Sequence, residues 1–317
     1  MHAVFHNIGV FFGHLADVGW PALAAALACQ FTKLCCVSTA WRNIIAASYP
    51  DERVPWRSVF AGYVARVGVN AVVPARAGDV AGLYIVRHRV GRTTYPTLAS
   101  TLVSLTFFDF VAASCFIAYA LATGALPGRT VLARLPGFDF NWVFAHLGAT
   151  LIVVAVVLVV LLLLLLWFAE DLLDFWRRVK QGFLIFSAPA TYLLRVVPWQ
   201  VADWLLRLAT IYWFLRAFHV PATLGNAMLV QVTQSLSVLF PISPSGIGTE
   251  QALLLYIFRD KAAKTVLLSF SVGMRVTLIT FNALLGFTAI FLTLRTLRWR
   301  QRAEADRKAA TEASGPP

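Results

Sequence analysis

Two proline- and glycine-containing interruptions stand inside otherwise apolar, membrane-length segments of this 317-residue chain. The first lies between Asn70 and Asp79, and the second lies between Pro241 and Glu250. The hydrocarbon interior of a membrane offers no hydrogen bonds to freed backbone groups, so a broken helix is tolerated only where protein or water surrounds it. Broken helices at matching positions in two halves of a chain indicate the binding site of a membrane transporter.

The composition predicts an integral membrane protein. Hydrophobic residues make up 59% of the chain and charged residues 13%, whereas a soluble domain carries about 25% charged residues. The net charge of +12 does not indicate nucleic-acid binding, because the basic residues lie at the ends of apolar runs and near the C-terminus. There they set the orientation of the chain and meet anionic lipid. We therefore expect an all-α, polytopic protein of the cell membrane.

Apolar segments of about 20 residues, several of them bracketed by tryptophan, predict seven spans. The predicted spans are residues 20–41, 56–74, 97–122, 142–167, 199–218, 222–241 and 265–294. The apolar segment 183–197 is short and flanked by proline, and we expect it at the membrane interface. The predicted division is an interfacial segment at 1–19, a transmembrane domain at 20–300 and a disordered cytoplasmic tail at 301–317.

Arginines in two connecting segments predict the orientation, because cytoplasmic loops are enriched in basic residues. These residues are Arg42, Arg53, Arg57, Arg87, Arg89 and Arg92. If the first break is a re-entrant hairpin, both segments lie in the cytoplasm, the two halves have opposite topology, and the C-terminus is cytoplasmic. The similarity of segments 84–87 and 256–259 supports an inverted repeat, although two apolar helices can also resemble each other by chance.

The acidic residues at the breaks have two interpretations. A helix that restarts inside a membrane presents unpaired N–H groups and a positive dipole end. Asp79 and Glu250 follow Gly78 and Gly248 at such points, so each acid either stabilises the start of a half-helix or carries a proton or a cation during transport. The glycines are expected to permit a close turn.

Three arginines in the predicted spans and breaks favour an anionic ligand. They are Arg66, Arg76 and Arg275, and burying such a charge costs about 2.5–3.5 kcal/mol even on insertion scales. Arg207 also lies in a predicted span, but it follows Asp203 by four residues, so we expect these two to pair on one helix and leave them out of the site. Arg66 and Asn70 are four residues apart and share a helix face. Because a guanidinium matches phosphate geometry, the arginines form a candidate phosphate site. The competing hypothesis is that each arginine only pairs with an acid to hold the helices together.

Signatures of catalysis and of metal binding are lacking in the sequence. Segment 246–249 has no lysine and is not a phosphate-binding P-loop. The four cysteines do not have the spacing of metal ligands, and there is no His-Glu-x-x-His motif. We therefore expect no enzymatic activity, no cofactor and no metal.

The two breaks also carry a family resemblance. Their motifs are Asn70-x-x-x-Pro74-x-Arg76-x-Gly78-Asp79 and Pro241-x-Ser243-Pro244-x-Gly246-x-Gly248-x-Glu250. With them, residues 15–295 resemble the transmembrane, flippase-like region of lysylphosphatidylglycerol synthases and its stand-alone relatives. Three features depart from the family pattern. Ser245 replaces a glycine, and Gly82 stands where an arginine often follows the first acid. An acid–arginine pair that is common in the third span is also absent around Thr106 and Phe107, although Asp109 is present. These departures bear on the identity of the ligand more than on the fold.

The resemblance implies a membrane protein that handles a lipid or a lipid-linked substrate. Founding members join this region to an aminoacyl-transferring domain, and only a short tail follows the last predicted span here. Aminoacyl-lipid synthesis by this chain alone is therefore not expected.

We expect binding, and flipping across the membrane, of an anionic phospholipid or a polyprenyl-phosphate-linked molecule. The alternative is a non-transporting membrane partner that presents lipid to a transferase or regulates it. The predicted binding residues are Arg66, Asn70, Arg76, Asp79, Glu250 and Arg275. The predicted broken-helix residues are Pro74, Gly78, Pro241, Pro244, Gly246 and Gly248. The sequence does not predict an oligomeric state.

Overall fold

The structure, a computed structural model, describes residues 19–73, 76–122, 177–239, 249–258 and 263–313. All regular secondary structure in these ranges is helical. The α-helices are α1 (Trp20–Ser48), α2 (Trp56–Val72), α3 (Ala77–Arg89), α4 (Tyr95–Ala122), α5 (Pro189–Arg195), α6 (Val197–Ala217), α7 (Leu224–Leu239), α8 (Thr249–Ile257) and α9 (Lys264–Ala313). Residues 177–182 are also helical, and a 3₁₀ turn covers Leu184–Ser187. The all-α prediction is confirmed.

Within the described ranges, three helices are long and apolar enough to cross a membrane. They comprise Trp20–Ser48, Tyr95–Phe116 and Lys264–Thr293. The predicted span at 142–167 lies outside the described residues, as does most of the N-terminal segment. The count of seven spans and the cytoplasmic C-terminus therefore stay predictions. Segment 183–197 holds only the 3₁₀ turn, the seven-residue α5 and the start of α6.

The first predicted break separates α2 from α3. The residue before α3 is Arg76, whose backbone has a left-handed conformation with φ of 57°. Helix α3 then runs back along α2, because Gly78 lies against Asn70 while Gly82, one turn further on, lies against Gly62. The two helices thus form an antiparallel hairpin. Pro74 lies outside the described residues.

The second predicted break falls between α7 and α8. Its motif residues Pro241, Pro244, Gly246 and Gly248 lie outside the described residues. Helix α8 begins immediately after them at Thr249, which places Glu250 in its first turn. Helix α9 continues to Ala313. The domain division stays a prediction.

Two buried apolar clusters hold the helices together, and α1 contributes to both. One cluster surrounds Trp41 and Leu98 in the first half of the chain. The other surrounds Phe214, Phe258 and Phe270 in the second half. Because α1 packs along α6 as well as against α2 and α4, it joins the first half of the bundle to the second.

The two halves also meet where α2 crosses α9. A Cβ atom added at Gly68 would lie only 2.6 Å from the Cα atom of Gly286. Glycines at a helix crossing let the backbones approach this closely. The crossing places the inward faces of α2 and α9 side by side.

Candidate functional site

A cavity of about 450 Å³ lies between α2, α4, α7, α8 and α9. Residues from both halves of the chain line it. The charged and polar lining residues are Tyr63, Arg66, Asn70, Thr106, Asp109, Gln234, Glu250, Arg275 and Asn282. Leucine, isoleucine, valine and methionine side chains complete the wall, so the cavity combines polar groups with apolar surface.

In the first half, an acid at the start of α3 binds two side chains of α2. The Nε atom of Arg66 donates a hydrogen bond of 2.7 Å to Oδ1 of Asp79, and Nδ2 of Asn70 donates one of 2.8 Å to the same oxygen. The Oδ1 atom of Asn70 accepts a 2.8 Å hydrogen bond from the backbone N–H of Gly78. Asn70 therefore binds both the acid and the free N–H of the restarting helix, which closes the hairpin.

The hairpin requires a glycine at position 78. A Cβ atom added there would collide with the carbonyl oxygen of Arg66 and lie 2.7 Å from Oδ1 of Asn70. The carbonyl belongs to the helix backbone and cannot move without disturbing α2. The close approach that excludes a side chain is the same approach that lets Asn70 reach the backbone of α3.

In the second half, Glu250 at the start of α8 has the equivalent position. Its Oε2 atom lies 3.1 Å from Nη1 of Arg275 on α9, and its Oε1 atom accepts a 3.3 Å hydrogen bond from Nε2 of Gln234 on α7. The side chain of Glu250 is 10% exposed, compared with 26% for Asp79. Glu250 thus links three helices and is the more buried of the two acids.

A third charged group adjoins the cavity through Asp109 of α4. The Oδ1 atom of Asp109 accepts a 2.9 Å hydrogen bond from Nε1 of Trp204 and lies 3.6 Å from Nη2 of Arg207. The same Nη2 atom lies 2.9 Å from Oδ2 of Asp203, one turn earlier on α6. The spacing of Asp203 and Arg207 predicts this pair, and the structure confirms it.

The structure brings four of the six predicted binding residues to one cavity: Arg66, Asn70, Glu250 and Arg275. Asp79 contacts the cavity only through Arg66 and Asn70. Arg76 is exposed at the start of α3 and is not among the lining residues. The ion pairs are those expected if the arginines hold helices together, and the shared cavity is what the ligand hypothesis requires.

Two amide residues in the apolar spans were missed by sequence reasoning. Nε2 of Gln30 on α1 donates a 3.0 Å hydrogen bond to Oδ1 of Asn282 on α9, and Asn282 lines the cavity. Gln30 is 3% exposed. A polar amide in the middle of a membrane-length apolar segment is the signal that could have identified both. Asp109 and Gln234 also line the cavity and are not among the predicted binding residues.

No group of three His, Cys, Asp or Glu side chains in the described part of the chain could hold a metal ion. The site instead offers guanidinium and amide N–H donors, several of them paired with carboxylates. Such groups can bind the phosphate and hydroxyl groups of a lipid headgroup.

Comparison with protein families identifies a match for most of the chain. The family model described as the lysylphosphatidylglycerol synthase TM region matches residues 8–286, a range that includes every residue lining the cavity. Comparisons with curated proteins and with solved structures gave no match. Together with the apolar helices, the family match shows that the chain is a multi-pass integral membrane protein and belongs to the family of the lysylphosphatidylglycerol synthase transmembrane region.

Proposed function

We propose that this protein binds an anionic lipid, or the phosphate of a lipid-linked molecule, in the cavity and moves it across the membrane. One observation carries the proposal: Arg66 from the first half and Arg275 from the second half line the same cavity. Charges inside a membrane protein are costly and usually mark a substrate or ion pathway. Two arginines at one cavity suit a phosphate, which guanidinium groups bind through paired hydrogen bonds.

Pairing with a carboxylate leaves an arginine able to bind a phosphate. A guanidinium has five N–H donors, and the hydrogen bond from Arg66 to Asp79 uses the one on Nε. Within the described part of the chain, the ion pair with Asp79 engages Nε and not the terminal nitrogens, which suit a ligand in the cavity that Arg66 lines. The amides of Asn70 and Asn282 can bind headgroup hydroxyls, while Leu105, Leu278 and other apolar lining residues suit an acyl chain.

Transport requires the cavity to open to each side in turn. In inverted-repeat transporters, one repeat moves against the other around a fixed site. Here the cavity lies between α2 of the first half and α8 and α9 of the second half. The close glycine contact between α2 and α9 lies on this boundary between the two halves.

The direct test is lipid flipping by the full chain in proteoliposomes containing fluorescent phosphatidylglycerol. A membrane-impermeant quencher reports how quickly labelled lipid reaches the outer leaflet, and labelled phosphatidylcholine is the zwitterionic control. We expect faster flipping of the anionic lipid than in protein-free vesicles. Binding without flipping would instead support a partner that presents lipid to another enzyme. The proposal is wrong if the protein neither binds nor flips anionic lipid.

Paired substitutions separate ligand binding from structural support. Arg66→Gln combined with Asp79→Asn removes both charges together and leaves no carboxylate without its cation. If Arg66 binds phosphate, its loss removes a charge-assisted hydrogen bond of about 1.5–3 kcal/mol, which corresponds to roughly ten- to hundredfold weaker binding of phosphatidylglycerol. Arg275→Gln with Glu250→Gln should behave in the same way.

Two exposed arginines provide matched controls, Arg76 at the hairpin and Arg216 at the end of α6. Arg76→Gln and Arg216→Gln should each leave the affinity within about twofold, since exposed charges contribute about 0–1 kcal/mol. Melting temperature is measured for every variant, so that affinity is compared between folded proteins. Full affinity in both paired variants would show that the ion pairs are structural only.

A further inference from the structure

Asp109 has the weakest cationic partner of the carboxylates at the cavity. Asp79 and Glu250 lie 2.7 Å and 3.1 Å from the nearest arginine nitrogen. For Asp109 the corresponding distance to Arg207 is 3.6 Å. Its side chain is nevertheless 36% exposed and lines the cavity, so a ligand in the cavity lies beside it.

Arg207 is shared unequally between two carboxylates. Its Nη2 atom is 2.9 Å from Asp203, whose side chain is completely buried, and 3.6 Å from Asp109. Among the described residues, Oδ1 of Asp203 and Nε of Arg207 have no hydrogen-bond partner. One guanidinium therefore pairs with two carboxylates, closely with Asp203 and more weakly with Asp109. A proton on Asp109 would leave Arg207 to neutralise Asp203 alone.

Charged and titratable groups face Asp109 from several helices. They are Lys33 on α1, Tyr63 and Arg66 on α2, Tyr192 on α5, Asp203 and Arg207 on α6, Glu250 on α8 and Arg275 on α9. Together with Asp109 and Asp79, and with the two tyrosines neutral, these groups comprise four carboxylates and four cations. An anionic headgroup entering this balanced site adds an uncompensated negative charge. In a medium of low dielectric constant, the added charge favours protonation of the least compensated carboxylate.

We propose that Asp109 is a proton-binding site coupled to the lipid cavity, and that it takes up a proton when an anionic headgroup enters. The proton adds to a carboxylate oxygen of Asp109, and no other bond forms or breaks. The coupling is reciprocal, so protonation of Asp109 strengthens binding of the anion to the same extent. The inference rests on the proposed function and adds the ion that accompanies the lipid.

The test measures binding of fluorescent phosphatidylglycerol to the full chain in phosphatidylcholine nanodiscs at about pH 5.5 and about pH 8, because a bound anion beside a carboxyl group favours its protonated form. The wild-type affinity should be at least about fivefold higher at the lower pH, because two coupled binding sites usually change each other's affinity by about fivefold or more. Lipid binding in a weakly buffered solution with a pH indicator should remove protons from the solution.

Asp109→Asn mimics the protonated side chain. It should bind the lipid tightly at both pH values, with no proton uptake. Asp51→Asn changes an exposed aspartate in the loop after α1 and should retain the pH dependence of the wild type. Proton uptake by the wild type needs no variant, so it tests the inference even if Asp109→Asn does not fold.

The outcomes are distinguishable. Binding of phosphatidylglycerol that is independent of pH would overturn the proton site and leave the proposed function standing. A pH dependence that persists in folded Asp109→Asn would also overturn it. Absence of anionic lipid binding at both pH values would overturn the proposed function together with the inference.

Discussion

The two halves of the cavity use the same three chemical groups with different connections. Each half places an acid in the first turn of the helix that follows a break, Asp79 in α3 and Glu250 in α8. Each acid accepts a hydrogen bond from an amide on the preceding helix, and each pairs with an arginine. In the first half the arginine precedes the break, on α2. In the second half Arg275 follows it, on α9.

The position of the arginine makes the first cluster a closed hairpin and the second cluster a link between three helices. In the first half, the arginine and the amide come from the same helix, and Asn70 also binds the backbone of α3. In the second half, Glu250 connects α7, α8 and α9 through one amide and one arginine. The first cluster therefore fixes a local turn. The second depends on the relative positions of three helices, which makes it the more sensitive to movement.

The largest expected effect comes from removing one arginine and leaving its acid in place. Arg275→Gln removes the cation beside Glu250, whose side chain is 10% exposed and whose remaining hydrogen bond within the described residues is the longer one to Gln234. Breaking a buried ion pair in this way costs about 3–5 kcal/mol. Arg66→Gln should cost less, about 1–3 kcal/mol, because Asp79 is more exposed and keeps Asn70. Thermal unfolding in detergent measures both.

The matched control is the double variant that combines Arg275→Gln with Glu250→Gln. It should recover much of the stability that the single variant Arg275→Gln loses, because no carboxylate is left without its cation. Equal destabilisation by Arg66→Gln and Arg275→Gln would show that the two acids do not differ in their dependence on arginine.

A smaller effect tests the tightness of the first hairpin. Gly78→Val adds a side chain against the backbone of α2, and overpacking of this kind costs about 1–3 kcal/mol. Gly225→Val in α7 is the control, because an added Cβ there meets nothing within 4 Å. The measurement is the melting temperature of the two variants. If both lower it equally, the hairpin does not require glycine at position 78.

The smallest effect distinguishes the two amides. Asn70→Ala removes two hydrogen bonds of 2.8 Å, whereas Gln234→Ala removes the 3.3 Å bond to Glu250. At about 1 kcal/mol for a typical hydrogen bond, Asn70→Ala should destabilise the protein by about 1 kcal/mol more. Unfolding of the two variants in parallel measures the difference, and a larger loss in Gln234→Ala would contradict the hairpin's reliance on Asn70.

Much of the first half of the site was predictable because it is local. Arg66 and Asn70 share a face by helix periodicity alone, and the break brings Asp79 back to them within a few residues. Arg76 belongs to the same motif, yet it lies at the exposed start of α3. Sequence spacing did not predict this, because the left-handed turn at that residue sets where its side chain leaves the backbone.

The sequence by itself determined the membrane class, the helical fold, the first break and the family, because composition, periodicity and local motifs control these properties. Tertiary structure decided which charges meet. Arg66 and Arg275 share a cavity because α2 and α9 approach closely at Gly68 and Gly286. Asp109 and Asp203 share Arg207 because α4 packs beside α6. Such meetings depend on the packing of helix faces distant in sequence, which a one-dimensional pattern does not contain.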